Sequence, residues 1–278
     1  MTSIGLDVGT GFVKCVSDIA VTRFPSLYAY RQPSSWEDRK GLVEAVGYEA
    51  ANLARHPDAV LIRPVMLGRP INERAFGELA RKAIGDVIPK KGAVGEPSNL
   101  NLDIAVGLPY DARGERQSVR RLISRLYETN SCNVGLQVLG TLVDVDLKDA
   151  LVVSLGHGTT EIVAFQNRVP VKGVSVHNAA SDVCERLGVS KISYLDSNIF
   201  CTAKARQYVT MLVDAIMDDL NSISKDLSEL PVIVSGGGIL IPHVKETIES
   251  HLGREIIMPQ DPVMSNANGL YKLASLAC

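Results

Sequence analysis

Three short glycine-rich segments hold the residues whose types and spacing could do chemistry. The first, Asp7-Val8-Gly9-Thr10-Gly11-Phe12-Val13-Lys14, joins two segments of strand character. Glycines at 9 and 11 permit positive φ and let backbone N–H groups approach an anion with no Cβ in the way. Asp7, at the end of the preceding strand, can hold a hydrated divalent cation, and Lys14 can reach a phosphate as a point charge. The same residues also suit a plain tight hairpin that needs no ligand. The second segment, Ser154-Leu155-Gly156-His157-Gly158-Thr159-Thr160, repeats the pattern of strand, Gly-x-Gly turn and strand. The third, Ser235-Gly236-Gly237-Gly238, follows the apolar run Pro231–Val234 and leads into a helical segment. A glycine run at a strand-to-helix junction can turn backbone amides and a helix N-terminus toward a nucleotide. Neither Gly-x-Gly turn is a dinucleotide fingerprint, because each precedes a strand, and Gly-x-x-x-x-Gly-Lys-Ser/Thr does not occur.

The elements that must position these turns alternate between strand and helix periodicity. Ser3–Val8, Phe12–Ser17 and Val21–Phe24 read as three strands in quick succession. Apolar spacing of 3.6 residues predicts a helix over Asn72–Val87, and a second helix over Gly114–Tyr127 follows a strand at Leu102–Val106. Val134–Leu139 reads as another strand. The pattern then restarts: Leu151–Leu155, Thr160–Phe165 and Val169–Val174 are strands, and Ala180–Leu187 and Ala205–Leu227 are helices. Val232–Ser235 (strand), Pro242–Leu252 (helix), Glu255–Met258 (strand) and Ser265–Leu276 (helix) complete the series. Two halves that each open on a strand, a glycine turn and a strand suggest internal duplication. Arg31–Arg39 reads as a polar surface connection and Lys90–Ser98 as a loop.

Composition narrows the function classes. The chain has 278 residues with 46% hydrophobic and 22% charged, enough to bury a core without disulfides or metals. Its 29 basic and 31 acidic residues exert no general pull on nucleic acid or anionic membrane, and aromatics at 5% are too few for a base-stacking surface. The five cysteines are odd in number, widely spread and without a Cys-x-x-Cys pair, so reduced thiols are expected. The N-terminus has no basic leader and no apolar run approaches the roughly 18 residues of a membrane span, which predicts a cytoplasmic protein without a transmembrane segment.

Taken together, the segments resemble the actin-like ATPase superfamily, which includes actin, MreB, ParM and the heat-shock chaperone ATPases. Asp7–Lys14 is similar to its phosphate-1 loop, and Gly156-His157-Gly158-Thr159-Thr160-Glu161 to phosphate-2, with an MreB-like tail. Ser235–Gly238 resembles the adenosine motif, Leu136–Gly140 the first interdomain connection, and Asn266-Ala267-Asn268-Gly269 the second. Val46–Ala50 and Ile62-Arg63-Pro64 are similar to segments of the filament-forming, prokaryotic members. The resemblance spans the chain and implies an α/β fold: two ribonuclease-H-like (actin-fold) domains around a nucleotide cleft, with reduced peripheral subdomains. Domain I is expected over 1–141 plus 264–278, and domain II over 142–263.

The resemblance also implies roles. Gln137 orients the attacking water, and Asp7 holds Mg²⁺ through water. Gly9, Thr10, Gly11, Lys14, Gly156, His157, Gly158, Thr159, Thr160, Gly236, Gly237 and Gly238 bind ATP (or GTP). It points to an ATPase that polymerises with itself, with an adaptor protein as a possible link to cargo and no direct nucleic-acid contact. The chain departs from the pattern at Ser154 and His157, where the superfamily and actin respectively carry acids. That departure implies loosely held Mg²⁺ and slow hydrolysis. The short stretch Asn178–Leu195 implies a reduced or absent extra subdomain. A small-molecule kinase of this fold would need a base, for which Asp103 and Asp111 are the candidates, although Asp111 also reads as a helix cap. A cofactor-enzyme reactivating ATPase carries a cysteine pair that this sequence lacks. A nucleotide-binding regulator with little hydrolysis fits Ser154.

Overall fold

The structure, a computed structural model, describes residues 2–32, 41–89, 101–189, 202–224 and 229–276. The first half opens with β1 (Thr2–Val8), β2 (Phe12–Ser17) and β3 (Val21–Pro25). A peripheral unit follows: β4 (Tyr28–Arg31), β5 (Val43–Val46), α1 (Tyr48–Leu53) and β6 (Val60–Ile62), with the small hairpin β7 (Val65–Met66) and β8 (Arg69–Pro70). Next come α2 (Glu73–Val87), β9 (Leu102–Leu108), a 3-10 turn at Tyr110–Glu115, α3 (Arg116–Leu126), β10 (Thr129–Leu136) and α4 (Gln137–Asp144). The second half holds β11 (Ala150–Leu155), β12 (Thr160–Gln166), β13 (Val169–Val176), α5 (Ala180–Leu187), α6 (Ala203–Ser224), β14 (Val232–Ser235), a 3-10 turn at Gly237–Leu240 and α7 (Val244–Leu252). α8 (Ser265–Ser275) returns to pack on α4, β1 and β9.

Two sheets repeat one design. In the first, β3, β2 and β1 are antiparallel neighbours and β9 and β10 add in parallel. In the second, β13, β12 and β11 are antiparallel and β14 adds in parallel, with Ile257 bridging Ile233 as the remnant of a fifth strand. The duplication expected from the glycine turns is therefore visible in topology.

The two long helices follow their apolar period. In α2, Phe76, Leu79, Ala80, Ala83, Ile84 and Val87 are buried on one stripe, and Asn72 Oδ1 accepts from the Ala75 amide at 2.9 Å to cap the first turn. The stripe packs with Ile4, Leu6 and Ile104 of the first sheet, each such side chain contributing about 1.5–3 kcal/mol on burial. α6 does the same for the second sheet through Val209, Leu212, Val213, Ile216 and Leu220. Leu136, Val138 and Leu142 cover the other face of that sheet against Val152, Val163 and Phe165.

Several expectations need correction. The apolar run Val134–Leu139 is not one strand: the strand ends at Leu136 and a helix begins at Gln137 without a loop. A short apolar run buried on both sides carries no period that separates strand from helix. Glu255–Met258 forms only the single bridge at Ile257. Of the expected surface connection Arg31–Arg39, Arg31 closes β4 in the three-stranded sheet β5-β4-β6, and 33–39 lie outside the described residues. Asp111 lies inside the 3-10 turn rather than capping a helix. The loop Lys90–Ser98, the end of the predicted helix at Leu227, and 190–195 of the short stretch lie outside the described residues.

Candidate functional site

The two Gly-x-Gly turns have the same hydrogen bonding. The Gly9 amide donates to the Phe12 carbonyl at 3.1 Å, and the Gly156 amide to the Thr159 carbonyl at 3.0 Å. Two further carbonyls of each turn are tied down from behind. Ser26 donates its hydroxyl to Gly9 O (2.6 Å) and its amide to Gly11 O (3.0 Å), while the Ala180 and Ser181 amides hold Gly156 O and His157 O. The amides of Thr10, Gly11, Gly158 and Thr159 hold no hydrogen bond among the described residues. Free amides beside tied carbonyls form an anion-binding concavity.

Glycine is required here for closeness rather than for φ. Among the glycines of the three segments, only Gly236, at φ +88°, has a left-handed backbone. A Cβ on Gly11 would sit 2.6 Å from His157 Cβ, one on Gly158 2.6 Å from Thr10 Cγ2, and one on Gly156 2.6 Å from Thr159 O. The turns therefore touch each other across the cleft.

Between them lies a cavity of about 290 Å³, at the small end for ligand sites. It is lined by Asp7, Gly9, Thr10, Gly11, Lys14, Gln137, Gly156, His157, Gly158, Thr159, Gly236 and Gly237. Two expected residues stay out. Thr160 is fully buried and donates its hydroxyl to Asn178 O at 2.6 Å. Gly238 is packed against Leu155. Sequence reasoning missed Arg23, Tyr48 and Val263 as lining residues. Arg23 was legible in the hairpin register, because pairing Val16 with Val21 sets Lys14 opposite Arg23.

Asp7 is 1% exposed. Its Oδ2 lies 2.7 Å from Lys14 Nζ, while Oδ1 is buried without a partner among the described residues. An unmatched buried carboxylate oxygen costs about 1–3 kcal/mol or more, and a hydrated cation would satisfy it. One carboxylate is a normal share for Mg²⁺, which takes its other ligands from water and phosphate, so the residues fit that ion. No group of three or more metal-capable side chains occurs among the described residues.

Ser154 occupies in β11 the place that Asp7 has in β1, two residues before the turn, and pairs with Glu161 as Asp7 pairs with Lys14. The acid of this second pair thus sits on the other strand. Glu161 is fully buried; its Oε1 accepts the Tyr110 amide at 2.5 Å and lies 3.3 Å from Ser175 Oγ. Burial pushes its pKa up to about 8; bonds from the Tyr110 amide, the Gln137 side chain and Ser175 oppose the rise, and Asp7 adds to it. Glu161 therefore joins the second sheet to Gln137 and the chain after β9. The signal was an acid in the otherwise apolar run Thr160–Phe165.

A folded pKa raised above the unfolded value makes the neutral acid the stabilising form. That stability is fully present below about pH 4.5 and is lost as pH rises through about 8. Urea unfolding of wild type should therefore weaken between pH 5.5 and 8.5, and Glu161→Gln should remove most of that slope. Equal slopes in the two proteins would contradict the assignment.

Gln137 opens α4, and Gly107 makes room for it, since a Cβ there would lie 2.7 Å from Gln137 Cβ. Behind it the two connections cross. A Cβ on Gly269 would lie 1.7 Å from Gly140 O, and one on Gly140 2.2 Å from Asn266 O. Thr141 donates to Asn266 Oδ1 at 2.7 Å and lies 3.1 Å from Ser235 Oγ, while Asn266 also lines the cavity. Asp103 accepts from Asn130 and Ser131, and Asp111 accepts from the Ser175 amide, so both candidate kinase bases hold structural bonds and neither lines the cavity.

No protein-family model matches the sequence, and no curated protein matches it. Solved structures do. MreB5 of Spiroplasma citri bound to AMPPNP superposes with a TM-score of 0.77 at 14% identity, covering 99% of this chain and 96% of that one. A MamK double helical filament gives 0.73 at 19% identity (99% and 98% covered), and the apo psk41 ParM protein 0.72 at 18% identity (99% and 97%). The chain has the two-domain actin-like fold over essentially its whole length. No described helix is long and apolar enough to cross a membrane.

Proposed function

We propose that this chain is an actin-like nucleoside triphosphatase that binds ATP or GTP with Mg²⁺ in the cleft and assembles with itself into nucleotide-dependent filaments. The observation that carries the reading is the pair of matched turns, one from each sheet, that meet over Asp7, Lys14 and Gln137. Phosphoryl transfer to water needs positioning and charge neutralisation rather than a covalent intermediate. The free amides and Lys14 would hold phosphates, and Asp7 Oδ1 would hold Mg²⁺ through water. Bound Mg²⁺ supplies neutralisation of the phosphate charge. Gln137 would orient the attacking water. A ligand gripped by both turns ties its chemistry to the angle between the halves, and so to the surfaces they present to a second copy or an adaptor protein. The superposed MreB5 holds AMPPNP and the superposed MamK is a filament, which supports both parts of the reading.

Titration calorimetry with Mg·AMPPNP and Mg·GMPPNP, followed by phosphate-release assays, tests the catalytic part. One-to-one binding of at least one analogue and slow release of phosphate are expected. Binding of neither overturns the proposal.

A nucleotide-binding regulator with little turnover is the second reading, favoured by Ser154 in place of an acid. Ser154→Asp should raise Mg²⁺-dependent phosphate release several-fold, because a second carboxylate beside Asp7 strengthens the hold on the metal's water shell. Unchanged turnover across a Mg²⁺ titration would count against that explanation of slow hydrolysis.

A further inference from the structure

The strand register places three charged residues in a row. Asp7 of β1 lies opposite Lys14 of β2, and Lys14 opposite Arg23 of β3. Residues paired across neighbouring strands share a face, and all three line the cleft. Their charges are not equivalent. Lys14 is largely buried and ion-paired with Asp7 at 2.7 Å, so these two cancel. Arg23 is exposed and makes no ion pair among the described residues. Its guanidinium lies 5.7 Å from the centroid of the Phe12 ring, another residue that lines the cleft. An aromatic face steadies a guanidinium while leaving its N–H edge available. No other lysine or arginine lines the cavity among the described residues.

We propose that Arg23 is the second phosphate-binding cation of this cleft, its guanidinium fork engaging phosphate oxygens of a bound nucleoside triphosphate while Lys14 stays tied to Asp7. The inference rests on the reading of the cleft as a nucleotide site. It names the residue that gives a ligand with several negative charges a net positive wall to bind. Lys14 alone cannot do so, because its charge is matched within the protein.

The test is titration calorimetry with Mg·AMPPNP and Mg·GMPPNP on wild type, Arg23→Gln, Arg23→Lys and, as a control, Arg121→Gln on the exposed face of α3. Loss of a charge-assisted bidentate contact should weaken binding about 10- to 100-fold in Arg23→Gln. Arg23→Lys should recover part of the loss, because the ammonium keeps the charge but not the fork. Arg121→Gln should bind as wild type does. Wild-type affinity in Arg23→Gln, or an equal loss in Arg121→Gln, overturns the assignment while leaving the nucleotide site standing. Failure of wild type to bind either analogue overturns both.

Discussion

Gln137→Ala should lower nucleotide turnover by roughly 10²-fold while leaving the affinity for the non-hydrolysable analogue within about two-fold. The residue lies at the first position of α4, entered directly from β10, and its place is made by Gly107, whose Cβ would collide with it. Truncation removes the group proposed to orient the water, together with its bond to Glu161, and leaves the turns, Asp7 and Lys14 in place. A fall in kcat without a fall in binding is the signature of an interaction made in the transition state. Single-turnover phosphate release measures it. Turnover equal to wild type would remove Gln137 from the mechanism.

Gly269→Ala should destabilise the fold by about 3 kcal/mol or more, at the upper end of the cost of overpacking. Taken alone, a glycine-to-alanine change inside a helix stabilises by up to about 1 kcal/mol. The geometry reverses the sign: the new methyl would lie 1.7 Å from the carbonyl oxygen of Gly140, a backbone atom that cannot rotate away. α4 and α8 would have to separate, drawing Thr141 from Asn266 and disturbing the side of the cleft that Asn266 lines. Gly77→Ala is the internal control. That glycine lies in α2, where the nearest atom to an added Cβ is Leu122 Cδ1 at 3.5 Å, an ordinary contact, so its stability should stay level or rise. Chemical denaturation compares the two. Equal midpoints for Gly269→Ala and Gly77→Ala would show that the crossing can relax.

These two residues also show how unevenly the structure was legible in the sequence. The turns were readable because strand–Gly-x-Gly–strand is a local pattern, and both turns close on the same Gly9–Phe12 and Gly156–Thr159 hydrogen bond. Positive φ is not what the glycines of the two hairpin turns supply. Gly9, Gly11, Gly156 and Gly158 are not left-handed; at Gly11 and Gly158 the lack of a side chain admits the opposite turn, a tertiary fact that no local rule contains. Gln137 lines the cavity from the first turn of a helix rather than from the expected strand, because an apolar run buried on both faces hides its period. The phosphate-2 resemblance includes Thr160, yet this first residue of β12 is buried with its hydroxyl on Asn178 O. Glu161 stands out as an acid in an apolar run, but its partners, like the place of Arg23, follow only from pairing register. The peripheral sheet was missed because its strands are three or four residues long and partly exposed.

The central claim, that nucleotide held between the two turns drives assembly of this chain with itself, is tested most directly by high-speed sedimentation of purified protein at micromolar concentration. Pellets would be compared with AMPPNP, ATP, ADP and no nucleotide, and inspected by negative-stain electron microscopy. Filaments should pellet with AMPPNP or ATP and be lost with ADP. No pelletable polymer under any nucleotide, in a protein that calorimetry shows to bind it, would overturn nucleotide-driven assembly.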